Sequence, residues 1–186
     1  MVWSDIETAL RQGQARMSDG LRWRACVHEA GHVLVYTLTG IAEVQSASIG
    51  LRGLGMVITV PNSHLPETEA WLMNSIAATL AGRAAERLVI GDVLAGAGGG
   101  PESYLAQATE MALAAETRLG FSGHRPLLYR SAAAANHTLA IEEGLAARVD
   151  ARLVAAEAIT SKLIEDHRDC HLCHRQAPGC RQRHRS

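Results

Sequence analysis

The run His28-Glu29-Ala30-Gly31-His32 sets two imidazoles four residues apart, with a carboxylate beside the first. On a helix that spacing projects both rings from one face, so two ring nitrogens can reach one metal ion. Glu29 then stands where it can take a proton from a water that the metal has acidified, while the ion polarises a scissile carbonyl. His28, Glu29 and His32 are a hydrolytic core that lacks only a third ligand. The surrounding segment is strongly apolar, and two histidines and a glutamate are costly to bury there without a common partner. Ala30 and Gly31 keep the ground around the three side chains open.

The elements that must position these groups can be read outward from the motif. Trp23, Cys26, Val27, Ala30, Val33 and Leu34 recur at helical spacing from Leu21 to Thr39-Gly40, where the glycine suits a C-terminal cap, and Ser18-Asp19-Gly20 predicts a turn before that helix. Between Val44–Ile49 and Met56–Val60 the pattern changes to β-branched and small residues separated by Gly50, Gly53 and Gly55, which predicts a β-hairpin ended by Pro61. Pro66-Glu67-Thr68-Glu69 supplies an acidic first turn for a long helix to about Ile90. Gly91–Gly100 reads as a glycine-rich loop, and Pro101 sits at the expected first position of a helix from about Glu102 to Leu119, capped by Gly120. A looser stretch through Pro126 leads to a last helix, roughly Ala140–Asp166. The expectation is a mainly α fold with one small β-hairpin. A lead-in over residues 1–20 precedes the domain at 21–169, and a Cys/His/Arg-rich tail over 170–186 reads as disordered.

Composition narrows the function classes. A chain of 186 residues fits one domain, and 47% apolar with 20% charged residues excludes a wholly disordered protein. A net charge of −1 provides no global basic field, so no specific nucleic-acid partner is expected; Arg175, Arg181, Arg183 and Arg185 lack interleaved aromatics. Lys162 is the one lysine, so no Gly-Lys-Ser/Thr phosphate loop exists in this sequence. The N-terminus shows neither a basic start nor an apolar run, and no membrane span is expected; the reading is a cytoplasmic protein. Cys26, Cys170, Cys173 and Cys180 are not spread as a disulfide framework. Cys170 and Cys173, with His171, His174, Cys180 and His184, have zinc-site spacing but no apolar anchors around them. Cys26 reads as a small buried hydrophobe, and His64, His124 and His137 as solvent-exposed.

Several ordered segments resemble the peptidase domain of the FtsH family of ATP-dependent zinc metalloproteases. They are Val27-His28-Glu29-Ala30-Gly31-His32, the hairpin ending Val60-Pro61, Leu80-Ala81-Gly82-Arg83-Ala84-Ala85-Glu86, Gln107-Ala108-Thr109, Leu119-Gly120-Phe121-Ser122 and Glu165-Asp166-His167-Arg168-Asp169. The resemblance covers about residues 22 to 169 and implies a helical zinc-metallopeptidase fold that cleaves unfolded or flexible polypeptides. His28 and His32 are then zinc ligands and Glu29 the general base. A separate AAA-type ATPase and a homo-oligomer are the partners that this resemblance leaves open, because only about 20 residues precede the motif helix.

One departure bears on the chemistry. The family's third ligand is an aspartate at the start of the helix after the glycine-rich loop, and this chain has Ser103-Tyr104-Leu105 there. Tyr104 takes the ligand position, and a phenol with a pKa of about 10 is a poorer ligand than a carboxylate unless the metal drives its deprotonation. Glu102 and Asp92 are the alternative carboxylates. The readings that follow are a zinc-dependent endopeptidase, or a pseudopeptidase of the same ancestry with an assembly or regulatory role.

Overall fold

The computed structural model describes residues 17–50 and 55–167. The lead-in up to residue 16 and the tail with Cys170, Cys173 and Cys180 lie outside the described residues. Helix α1 runs Asp19–Thr39; Ser18 Oγ accepts from the Leu21 amide at 3.3 Å, so Ser18-Asp19-Gly20 is the cap and first turn rather than a separate turn. Gly40, at φ 65°, closes the helix with its N–H on the Tyr36 carbonyl. Strands β1 (Ala42–Ile49) and β2 (Gly55–Pro61) pair antiparallel from Ala42 opposite Pro61 to Ile49 opposite Gly55, with a bulge between Val44 and Ser46. This is the expected hairpin.

Helix α2 (Glu69–Val89) starts on Thr68, whose hydroxyl accepts from the Trp71 amide at 3.2 Å. It is the central element because both of its faces are buried. Leu72, Ile76 and Leu80 pack with Ala108, Ala112 and Leu113 of α3 (Tyr104–Thr117) and with Leu145, Val149 and Ala156 of α5 (Glu143–Asp166). Ala78, Ala81, Ala84 and Ala85 pack with Val27 and Val35 of α1. Fully buried side chains such as Ile76, Leu113 and Leu145 each contribute about 1.5–3 kcal/mol of apolar transfer. The alanine face instead lets α1 and α2 approach closely. A Cβ on Gly31 would lie 2.6 Å from the Ala81 carbonyl oxygen and 2.7 Å from Ala85 Cβ.

The second half of the domain departs from the sequence expectation as well. Helix α3 begins at Tyr104, not Glu102, because Ser103 caps it with its hydroxyl on the Ala106 amide at 3.3 Å; Pro101 and Glu102 remain in the preceding turn. The stretch after Pro126 contains a further helix, α4 (Ala132–Ile141), started by Ser131 and separated from α5 by Glu142 in an extended conformation. Only Ala135 of α4 is buried, so its sequence carries no apolar period to read.

A charged cluster ties the lower half together. Glu116 of α3 accepts from Arg152 Nε at 2.5 Å, Arg148 Nε at 3.1 Å and Ser122 Oγ at 2.7 Å, and Arg152 also reaches Glu69 and the Phe121 carbonyl. Burial pushes the Glu116 carboxyl up, but the hydrogen bonds from Arg152 and Ser122 and the Arg152 charge outweigh it and hold it below the ordinary range.

Candidate metal centre

Helix α1 carries His28 and His32 one turn apart on the face turned to α2. His32 Nδ1 lies 2.8 Å from the Ala78 carbonyl oxygen, which can only accept, so Nδ1 carries the proton and Nε2 is left with its lone pair. His28 Nδ1 likewise donates to Glu86 Oε1 at 2.6 Å. The two Nε2 atoms face each other at 3.2 Å. In neutral rings with both Nδ1 protons engaged, neither Nε2 has a hydrogen to give the other. A shared cation, whether a proton or a metal ion, would satisfy both nitrogens. Two nitrogens about 2.0–2.1 Å from one tetrahedral zinc stand about 3.3–3.4 Å apart. The observed separation fits that donor pair.

Two further contacts orient His28. Glu86, 4% exposed, spends Oε1 on His28 and Oε2 on the Leu94 amide at 2.8 Å, which joins the ring to the start of the glycine-rich loop. Gly82 lies under the imidazole, where a Cβ would come within 2.3 Å of His28 Nε2. Glu86 was legible in the sequence only as the last member of a small-residue run. Its signal was a lone carboxylate among alanines on a helix face too small-sided to be exposed.

Glu29 is 6% exposed, and its Oε2 is buried without a hydrogen-bond partner. Burial raises its carboxyl above the ordinary value, and His28 draws it partly back. The His32 imidazole goes the other way, to about 4, because burial and then His28 disfavour its cation more than the Ala78 carbonyl favours it. The neutral ring is the form that can ligate a metal.

Of the three candidates for a further ligand, the structure brings one to the histidines. Tyr104, the first residue of α3, has its ring centroid 4.6 Å from that of His32 and 5.6 Å from that of His28. Burial raises its phenol, with Glu29 and Tyr36 adding to the shift, so the neutral hydroxyl is the resting form. Asp92 is engaged elsewhere, paired with Arg24 at 2.5 Å. Glu102 is exposed in the turn before α3, with its carbonyl accepting from Gln107. Among the described residues no group of three or more His, Cys, Asp and Glu side chains gathers as a metal-ligand set. Tyr36, one turn beyond His32, adds a second phenol with its ring centroid 6.5 Å from that of His32.

The chain is a mainly helical domain in which the helix carrying His28, Glu29 and His32 packs on a small-residue helix. The model for peptidase family M41 matches residues 16–171, and the chain belongs to that family. It is similar to the ATP-dependent zinc metalloprotease FtsH 3 of Conexibacter woesei, 31% identical over 187 residues covering 89% of this chain and 24% of the relative. It is 40% identical over 119 residues to the ATP-dependent zinc metalloprotease FtsH of Thermobaculum terrenum, covering 62% of this chain and 18% of that protein. The FtsH of Paraburkholderia phymatum is 42% identical over 98 residues, half of this chain and 15% of its own length. The chain thus spans at most about a quarter of the length of these relatives. Among the described residues no helix is long and apolar enough to cross a membrane.

Proposed function

We propose that this domain is a zinc-dependent endopeptidase acting on unfolded or flexible polypeptides, with His28 and His32 as ligands, Tyr104 as the third protein group at the ion, and Glu29 as general base. The observation that carries this reading is the 3.2 Å approach of two Nε2 atoms whose rings each engage a partner through Nδ1, a separation that suits two ligands of one zinc ion. Zinc bound there supplies Lewis acidity, lowering the pKa of water and polarising a carbonyl. The chain's own part is positional and protonic. Glu86 and the Ala78 carbonyl hold both rings in the Nε2-free tautomer. Glu29, with one carboxylate oxygen unpartnered, accepts the proton of the attacking water and returns it to the leaving amine. Burial favours this by making its carboxylate a stronger base.

The relatives' names describe ATP-dependent enzymes, and by that likeness a separate AAA-type ATPase would deliver chains to this site. One observation favours a second reading, the pseudopeptidase. The third position holds a neutral phenol laid against both imidazole rings rather than a carboxylate. Zinc titration of metal-stripped protein, with casein hydrolysis by the wild type and by Glu29→Gln, tests the proposal. Tight one-to-one zinc binding and hydrolysis lost in Glu29→Gln support the peptidase. Tight binding with no hydrolysis by the wild type supports the pseudopeptidase, and no zinc binding refutes the peptidase.

A further inference from the structure

The general base proposed above is held from two sides, and only one of them is its own helix. Gly55, the first residue of β2, passes so close to Glu29 that a Cβ placed on it would come within 2.2 Å of Glu29 Oε1, 2.4 Å of Cγ and 2.5 Å of Cδ. All three are side-chain atoms, so the strand backbone itself forms the wall against which the carboxylate rests. The pairing of Gly55 with Ile49 across the hairpin needs only backbone and does not call for a glycine. Gly55 also lacks the usual reasons for a glycine. Its φ is not in the left-handed region, since the positive-φ glycines among the described residues are Gly40, Gly91, Gly99 and Gly120. In extended backbone at a strand start, alanine is intrinsically the better residue by about 0.5–1 kcal/mol.

We infer that Gly55 is a positioning residue for Glu29, acting as a side-chain-free wall that fixes the carboxylate beside the imidazole pair. The inference rests on the peptidase reading for its kinetic consequence but not for its geometry. A methyl group at Gly55 meets the movable end of a glutamate, not backbone, so the strain is relieved by displacing the carboxylate and the fold is retained. Displacing a reacting group by about 1 Å lowers turnover by about 100-fold. That displacement leaves the Nδ1 contacts of His28 to Glu86 and of His32 to the Ala78 carbonyl in place. The loss therefore falls on kcat, with KM and zinc affinity unchanged.

The experiment is a double-mutant cycle on Gly55→Ala and Glu29→Ala in the full chain, read by thermal unfolding of the zinc-loaded and metal-stripped protein and by casein-peptide kinetics. With Glu29 shortened, the three nearest contacts of the new methyl are removed, and Gly55→Ala should raise Tm by about 1–4 °C, the value of the glycine-to-alanine preference in a domain of this size. With Glu29 present, the same substitution should give no gain or a loss, and kcat should fall by at least 10-fold at constant KM. Equal Tm shifts in both backgrounds overturn the inference, because they show that Gly55 and Glu29 are not coupled. Should Gly55→Ala fail to fold alone yet fold beside Glu29→Ala, the coupling is confirmed in its strongest form; failure in both backgrounds overturns it. A wild type that hydrolyses nothing counts against the peptidase reading, while the unfolding cycle still decides the role of Gly55.

Discussion

Replacing Glu86 with glutamine removes one charge and exchanges one acceptor for a donor at a site where both oxygens are used. Glu86 Oε1 accepts from His28 Nδ1 at 2.6 Å and Oε2 from the Leu94 amide at 2.8 Å, and the residue is 4% exposed. An amide has one oxygen for these two donors. If the oxygen turns to Leu94, its NH2 faces His28 Nδ1 and the ring must move its proton to Nε2, the nitrogen proposed to hold zinc. If it turns to His28, the NH2 opposes the Leu94 amide and leaves a buried donor without a partner, at about 1–3 kcal/mol. The first outcome removes a proposed ligand, and the second loosens the start of the loop that leads to Tyr104. Either way zinc affinity should fall by about 10–100-fold, the range for lost support of a ligating histidine. Competition against a chromophoric chelator measures this directly, and near-ultraviolet circular dichroism reports whether the fold survives. A folded Glu86→Gln protein that binds zinc within about threefold of the wild type would show that the Nδ1 contact does not fix the tautomer, and the argument from the facing Nε2 atoms would fall with it.

Tyr104→Asp should raise zinc affinity by about 10-fold or more and increase hydrolysis, because a small carboxylate replaces a neutral phenol beside both imidazoles; unchanged affinity and activity in a wild type that already binds tightly would assign the ligand to another group. Gly31→Ala should destabilise the domain by about 1–3 kcal/mol, seen as a lower urea midpoint, since its methyl meets the backbone and Cβ of α2 rather than movable side chains. The depressed Glu116 carboxyl contributes stability that is complete above its ordinary value of 4.5 and lost as pH falls through the lower folded value. Glu116→Gln should therefore cost about 2–4 kcal/mol at neutral pH and flatten the acid limb of the stability profile; a profile parallel to wild type refutes it.

The large elements were legible because their signals are local. Apolar periods mark α1 and α2, whose caps Ser18 and Thr68 read instead as parts of a turn and of a first helical turn, and glycine with β-branched residues marks the hairpin. The pairing of His28 with His32 follows from the helical repeat alone. What escaped depends on neighbours far away in sequence. Glu86 reaches His28 across 58 positions, and Gly55 meets Glu29 from another element, so neither has a local pattern that reveals its contact. At α3 two local rules competed, and the serine cap at Ser103 prevailed over proline at the first helical position. Helix α4 carries too little buried surface to impose a period on its alanines.

The close contact at Gly31 changes what the metal motif means as a string of letters. Chemistry specifies its first, second and fifth positions and is indifferent to the two between. Packing is not indifferent, because the fourth position points into α2 where a methyl group has nowhere to go. The glycine in His-Glu-Ala-Gly-His is thus a record of the spacing between two helices, written inside a motif usually parsed for its ligands. A pattern that admits any residue there accepts chains able to bind a metal but unable to dock this pair of helices, so the five letters carry a statement about architecture along with the one about catalysis.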